Sequence, residues 1–248
     1  MDKQKFYTAL ETVLTGEHIR AGIGTYGEKT VHSVLKNYFE PYADGHEQKI
    51  GGFVADIVGE DGIIEIQTAG FERLRKKLDA FLQVSRVTVV HPIPRYKWLI
   101  PINPETGEQG RKRKSPKMGT PYDIFPELYK IKPFLTHENF RLCIVMLDVD
   151  EFRQPPETEG LKRGRRRGYV RYDRIPKELV EEIHINCKSD WEYFLPEGLP
   201  EEFTSKDFGE LSGVGQKYAS FVLNVLTAAE IVEIIGKSGR SYLYRCTI

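Results

Sequence analysis

The most informative part of the sequence is Phe53–Thr68, FVADIVGEDGIIEIQT. Two runs of alternating side chains flank a polar turn, which is the pattern of a β-hairpin. A turn centred between Glu60 and Asp61 places Asp56 directly opposite Glu65, because pairing proceeds outward one residue at a time. Two carboxylates about 5 Å apart repel one another, and nothing in an apolar hairpin offsets that cost. A divalent cation would remove the conflict, and hard oxygen ligands at this separation suit Mg²⁺ (or Mn²⁺).

Two other interpretations of this hairpin stay open. The carboxylates could simply be solvated on an exposed face of a sheet. A register shifted by one residue would move one of them to the opposite face. That opposite face is apolar enough to pack under helices, since it carries Ala55, Ile57, Ile64 and Ile66.

The chain on either side of the hairpin alternates between helical and strand patterns. Apolar residues recur at helical spacing in residues 28–38 and 71–84, whereas RVTVVHPI, KWLIPI and FRLCIVMLDV are typical of strands. The sequence therefore predicts an α/β fold in which a mixed central sheet is flanked by helices. Residues 156–176 are rich in Pro, Gly and Arg, which indicates a basic linker between a first domain, residues 1–155, and a second, residues 177–248.

The second domain has the pattern of a helix-turn-helix followed by a hairpin. A capping box of Thr204 and Asp207 opens a short helix, and the turn SGVG leads to the longer helix QKYASFVLNVLTAA. This order resembles a small winged helix-turn-helix. Its polar helix face and its wing carry the residues predicted to contact bases and phosphates: Lys217, Ser220, Asn224, Lys237 and Arg240. A winged helix that binds another protein is the alternative.

Charge is balanced overall but segregated along the chain. The sequence has 36 basic and 36 acidic residues, and the basic ones concentrate in Arg111–Lys117 and Lys162–Arg174. Basic clusters on a neutral protein favour a local surface for a polyanion, and two solvated loops are the alternative. Three residues of the second run, Arg165, Arg166 and Arg167, are predicted to bind nucleic-acid phosphates without selecting a sequence.

The carboxylate hairpin also resembles a known motif. Asp56, followed after eight residues by Glu65-Ile66-Gln67 on a second strand, is similar to the Asp…Glu-x-Lys motif of the PD-(D/E)XK nuclease superfamily. The resemblance implies a restriction endonuclease-like core, with Glu28, Asp56, Glu65 and Gln67 in catalysis. It also implies a metal held by Asp56, Glu65 and the Ile66 carbonyl. Gln67 departs from the family, which usually has lysine there, and glutamine cannot act as a base.

The resemblance covers roughly residues 20–150 and implies a function. We expect a Mg²⁺-dependent endonuclease of the restriction, repair or defence type, acting on double-stranded DNA and compatible with a homodimer. The alternative is a protein with a catalytically inactive nuclease fold that acts as a DNA-binding or regulatory protein. The sequence contains neither G-x-S-x-G nor H-E-x-x-H, so a serine hydrolase or zinc protease has no support. Three cysteines without a CxxC pair, no signal-peptide pattern and no long apolar run predict a cytoplasmic protein away from the membrane.

Overall fold

A computed structural model of the chain describes residues 1–15, 30–156 and 168–248. The α-helices in these ranges are α1 (Lys3–Thr15), α2 (Thr30–Phe39), α3 (Arg75–Phe81), α4 (Phe125–Leu128), α5 (Ser205–Ser212) and α6 (Gln216–Ala228). The strands are β1 (His46–Ile50), β2 (Phe53–Gly59), β3 (Gly62–Ile66), β4 (Val87–Pro101), β5 (Arg113–Lys114), β6 (Phe140–Gln154), β7 (Val170–Ile185), β8 (Glu202–Thr204), β9 (Val232–Ser238) and β10 (Ser241–Cys246). Short 3₁₀ helices lie at Ala43–Gly45, Phe71–Leu74, Pro121–Ile124, Tyr129–Phe134 and Lys188–Phe194. None of the helices described here is long and apolar enough to cross a membrane.

Strands β1 to β7 form one mixed sheet, which therefore includes a strand beyond the predicted nuclease-like domain, residues 1–155. Its order is β1-β2-β3-β4-β6-β7, and β5 pairs with the free part of β4. Strand β3 is antiparallel to β2 and parallel to β4. The predicted fold class, an α/β fold with a mixed central sheet flanked by helices, is confirmed at this level. The apolar face of the hairpin is buried as alternation requires at Ala55, Ile57 and Ile66, whereas Ile64 is only half-buried.

Strand β4 is longer than the pattern predicts. The sequence indicates two strands, RVTVVHPI and KWLIPI, but they form one strand of 15 residues that runs through Pro92 and Pro94. Proline has no N–H to donate to a neighbouring strand. Strand β3 pairs with β4 as far as Val90, and β5 pairs with it at Trp98 and Leu99. The prolines therefore lie where neither β3 nor β5 pairs with that edge, which is why they do not interrupt the strand.

Part of the predicted linker lies in strand β7. Residues 156–176 were expected to be a basic linker, but the structure begins a strand of 16 residues at Val170. Asp173 within this strand is buried and accepts a hydrogen bond from the Thr30 hydroxyl. Composition rich in arginine and glycine predicts a loop only where the backbone finds no partner, and here β6 supplies one.

The described chain falls into two compact units, each assembled from three segments. The first contains Met1–His46, Pro92–Thr120 and Val145–Glu182, and the second contains Glu47–His91, Pro121–Ile144 and Ile183–Ile248. The division that the sequence suggests, residues 1–155 and 177–248, stays a prediction.

The end of the chain folds as a strand, two helices and a hairpin. The predicted capping box is confirmed, because the Thr204 side chain accepts hydrogen bonds at the start of α5 and the Asp207 carboxylate accepts the Thr204 N–H at 2.8 Å. Strand β10 pairs with both β8 and β9, which gives a three-stranded sheet in the order β8-β10-β9. A Cβ on Gly209 of α5 would lie 2.9 Å from the backbone nitrogen of Gln216, so glycine lets α5 and the start of α6 approach closely.

Candidate functional site

The hairpin has the register that the sequence predicts. Strands β2 and β3 pair with Ile57 opposite Ile64, which is the last pair of their ladder. Extending this register outward by one residue sets Asp56 against Glu65. The Asp56 N–H points to Glu65 Oε1 at 3.3 Å, which confirms that the two residues are neighbours across the ladder. The alternative in which the register is shifted by one residue is wrong.

The two carboxylates lie side by side but in different surroundings. Asp56 is half-buried, and its Oδ2 accepts a hydrogen bond from the Ile66 N–H at 2.8 Å. The Glu65 side chain has only 2% of its surface exposed. A buried charge is costly unless it is paired or hydrogen-bonded. The interpretation of a simply solvated pair therefore does not hold for Glu65.

Lys77 on α3 supplies a cation that the sequence reasoning missed. Its Nζ lies 2.8 Å from Glu65 Oε2 and 3.1 Å from Oε1. The signal was present in the helical pattern, because Leu74, Lys77, Leu78 and Phe81 fall at i, i+3, i+4 and i+7, the spacing of one helix face. A lysine at a position of the buried face needs an acidic partner, and the hairpin provides it.

The environment of Glu65 changes its acid–base behaviour. Burial raises the pKa of Glu65 to about 7, and the negative charge of Asp56 acts in the same direction. The hydrogen bond and the positive charge of Lys77 oppose this rise without cancelling it. Glu65 therefore gains or loses a proton near neutral pH, where an ordinary glutamate is fully ionised.

Gln67, the residue at the family's lysine position, is engaged in the turn that follows β3. Its side-chain Nε2 donates to the Ala69 carbonyl at 2.6 Å, and its own carbonyl lies 2.6 Å from the Nδ1 of His91. The ammonium group nearest to Glu65 thus comes from α3 rather than from the strand position that the motif assigns to it. The catalytic role of Gln67 stays a prediction.

The predicted metal ligands of the hairpin are few. Asp56 and Glu65 offer hard carboxylate oxygens, and the Ile66 carbonyl is the third predicted ligand. Across residues 1–15, 30–156 and 168–248 no group of three or more His, Cys, Asp or Glu side chains could hold a metal. Mg²⁺ is commonly bound by one or two carboxylates together with water and substrate phosphates, rather than by an all-protein cage. Glu28, the further acidic residue that the resemblance implies, lies outside the described residues.

The predicted DNA-reading residues of α6 share an exposed face. Lys217, Ser220 and Asn224 are all exposed on this helix. Asn224 Oδ1 accepts a hydrogen bond from Lys132 at 2.9 Å, and the Lys132 ammonium lies 4.2 Å from the centre of the Tyr129 ring. Lys132 thus adds a positive charge beside this face, which the sequence reasoning did not include because it lies 92 residues away along the chain.

The remaining predicted nucleic-acid contacts divide into two groups. Lys237 and Arg240 are exposed on the β9–β10 hairpin, where the Lys237 ammonium lies 5.4 Å from the centre of the Tyr242 ring. The other group, Arg165, Arg166 and Arg167, lies outside the described residues.

Comparisons with known proteins give one family match and one similar protein. Residues 29–186 match the model of a family described as a domain of unknown function, DUF8091. An uncharacterized protein of Treponema pallidum (strain Nichols) is 32% identical over 231 residues, which is 90% of this chain and 87% of that protein. No solved structure matches. Because the matched residues cover more than half of the chain, from the start of α2 through β7, the chain belongs to the DUF8091 family.

Proposed function

We propose that this protein is a Mg²⁺-dependent endonuclease that hydrolyses phosphodiester bonds in DNA. The observation that carries the proposal is the directly opposed carboxylate pair, Asp56 and Glu65, with the Lys77 ammonium 2.8 Å from Glu65. The PD-(D/E)XK motif combines two acids with a lysine, and here the two acids lie on the hairpin while the lysine comes from α3. The restriction endonuclease-like core is part of this proposal.

The chemistry follows from the charges of these residues. A bound Mg²⁺ would lower the pKa of a water molecule and offset the charge that develops on the phosphate. Asp56 and Glu65 would hold the ion through oxygen atoms. Because the pKa of Glu65 is about 7, this carboxylate becomes fully available only above neutral pH, when its proton has left.

Lys77 would supply the positive charge that Gln67 lacks. Glutamine carries no charge, whereas an ammonium group can donate hydrogen bonds to a phosphate oxygen or to an attacking water. The Lys77 side chain is 26% exposed, so it is not sealed inside the protein. The proposal thus assigns the positive charge of the motif to α3.

The end of the chain supports a DNA substrate. Strand β8, helices α5 and α6, and the β9–β10 hairpin occur in the order of a winged helix-turn-helix, and β10 pairs with both other strands. Winged and other helix-turn-helix proteins place the second helix in the major groove of DNA. Lys217, Ser220 and Asn224 would then contact the duplex from α6, and Lys237 and Arg240 would contact the backbone from the wing.

A second candidate is favoured by one observation. Both carboxylate oxygens of Glu65 accept hydrogen bonds from Lys77, which is the arrangement of a structural ion pair. In that case the nuclease fold would be catalytically inactive, and the protein would act as a DNA-binding or regulatory protein. The two candidates differ in whether Lys77 leaves room for a metal ion.

Cleavage of supercoiled plasmid in the presence of Mg²⁺ tests the proposal. We expect the wild-type chain to nick the plasmid, and Asp56→Ala and Glu65→Ala to abolish nicking while the protein stays folded. Asp61→Ala is the matched control, because it removes an exposed carboxylate from the turn of the same hairpin. Gln67→Lys should be tolerated or activating.

The same assay separates the two candidates. Nicking that survives both alanine substitutions would contradict the proposed site. A wild-type chain that binds the plasmid but does not nick it with Mg²⁺ or Mn²⁺ would establish the second candidate instead.

A further inference from the structure

The basic run Arg111–Lys117, which the proposed site does not use, is fixed against the sheet rather than free in solvent. Strand β5 pairs with β4, and Lys114 lies opposite Trp98. The backbone before and after it is also bound to β4, through hydrogen bonds from Gly110 N–H to Pro101 and from Ser115 N–H to Lys97, each 2.8 Å long. The backbone of this run is therefore held against β4, while its basic side chains are exposed to solvent.

Alternation along the strands collects its lysines on the side of Trp98. Side chains two residues apart on a strand share a face. Lys114 in β5 and Lys112, two residues earlier and just before that strand, approach Trp98 with their ammonium groups 5.9 Å and 5.8 Å from the ring centre. Lys177 reaches the same ring from β7 at 4.4 Å. Lys114 also lies 3.6 Å from the centre of the Tyr96 ring. We call these five residues the basic–aromatic surface.

The positive charge of this surface is balanced in part by its own neighbours. Lys112 forms an ion pair with Asp150 at 2.7 Å. Within the part of the chain that the structure describes, Lys114 and Lys177 have no acidic partner within ion-pair distance, although both contact aromatic rings. Three ammonium groups around one indole repel one another, and cation–π attraction of about 1 kcal/mol each holds them together only weakly. An anion from outside the chain would relieve this repulsion.

We infer that the basic–aromatic surface binds the phosphate backbone of double-stranded DNA. Lysine ammonium groups bind phosphates as point charges and do so without reading sequence. The ring faces of Tyr96 and Trp98 are covered by ammonium groups, so the surface offers charge and not a platform for unstacked bases. A duplex, whose bases stay stacked inside, matches that chemistry better than a single strand does.

This inference deepens the proposed function and rests on it only for the choice of DNA as the polyanion. None of the five residues belongs to the candidate metal site. Binding is therefore measured without divalent metal, so that a failure of this inference leaves cleavage untouched and a failure of cleavage leaves this binding untouched.

The test compares two triple variants of the full chain by fluorescence anisotropy with a labelled DNA duplex across a series of salt concentrations. The first, Lys112→Gln, Lys114→Gln and Lys177→Gln, removes the charges of the surface. We expect its affinity at moderate salt to fall about tenfold or more, and the slope of log K against log salt to flatten by roughly one unit for each phosphate that is no longer neutralised. The control changes three exposed lysines elsewhere: Lys3→Gln, Lys49→Gln and Lys188→Gln.

The salt dependence of the two variants decides whether the basic–aromatic surface contacts phosphate. A control that keeps the wild-type slope, together with a flattened slope for the surface variant, supports the inference. Equal losses in both variants mean that only net charge matters, and an unchanged slope in the surface variant means that these lysines do not contact phosphate; either result overturns it. A single strand of the same sequence that binds more tightly than the duplex, and loses that advantage in the surface variant, also overturns it.

Discussion

Glu65 is a buried carboxyl group beside a second carboxylate, an arrangement that is costly in free energy. Its side chain is 2% exposed, a second carboxylate lies beside it, and a single lysine compensates part of the cost. Strongly shifted pKa values produced by burial and a like charge are concentrated at functional sites. The electrostatic cost at this residue therefore supports the proposal that the hairpin is a functional site.

This environment predicts how the stability of the chain depends on pH. The folded-state pKa of Glu65, about 7, lies above its ordinary value of 4.5, so between these pH values the folded chain binds more protons than the unfolded chain. The free energy of unfolding therefore falls as the pH rises through this window. Glu65→Gln removes this penalty, and we expect it to be more stable than the wild type at pH 8 by on the order of 3 kcal/mol. The difference should vanish near pH 4. Urea unfolding at both pH values measures it.

Glu127 offers a control of the opposite sign. Burial raises the pKa of Glu127. The hydrogen bond from the Phe71 N–H, at 2.8 Å, and the Lys130 ammonium lower it by more, so the net pKa lies below the usual value. Its stabilising contribution is present above the unfolded-state pKa and is lost as the pH falls, so Glu127→Gln should destabilise the chain at pH 8. A Glu65→Gln protein that is less stable than the wild type at pH 8 would mean that the Lys77 ion pair outweighs burial.

At the scale of elements, the sequence predicts the features that depend on local periodicity and capping, such as strand pairing and the start of a helix. The period of two in strands and a four-residue turn determine the pairing of Asp56 with Glu65, and the capping box at Thr204 marks the start of α5. Lys77 could not be placed from the sequence, because its contact with Glu65 depends on where α3 packs against the hairpin. The continuity of β4 through Pro92 likewise depends on which neighbours pair with its edge.

The helix-turn-helix element makes a prediction about glycine. Replacing glycine by alanine inside a helix normally stabilises it by up to about 1 kcal/mol. A Cβ on Gly209 would instead lie 2.9 Å from backbone atoms of Gly215 and Gln216. We expect Gly209→Ala to lower the free energy of unfolding by about 1 to 3 kcal/mol, because the two helices must separate. Chemical denaturation followed by circular dichroism measures the change.

Gly236 is the matched control for this substitution. It lies in β9, and no atom lies within 4 Å of the position that its Cβ would occupy. Gly236→Ala should leave the stability within about 0.5 kcal/mol of the wild type. If Gly209→Ala were as stable as Gly236→Ala, α5 and α6 would not approach as closely as described.

At the scale of the whole molecule, each compact unit carries one feature of the proposed activity. Asp56, Glu65 and Lys77 belong to the second unit, and the basic–aromatic surface belongs to the first. Each unit is built from three separate segments of the chain, so composition along the sequence could not show this arrangement. The balanced net charge likewise hides the concentration of basic residues in Arg111–Lys117 and Lys162–Arg174.

Titration calorimetry of the full chain with Mn²⁺ at pH 8 is the sharpest test of the proposed metal site, because it needs neither substrate nor turnover. We expect one Mn²⁺ per chain, lost in Asp56→Asn and kept in the turn control Asp61→Asn. We also expect the affinity to weaken as the pH falls from 8 to 6, since a proton then competes with the ion for Glu65. Wild-type binding that Asp56→Asn leaves unchanged, or a wild-type chain that binds no Mn²⁺ at pH 8, would contradict the assignment of this carboxylate pair as a metal site.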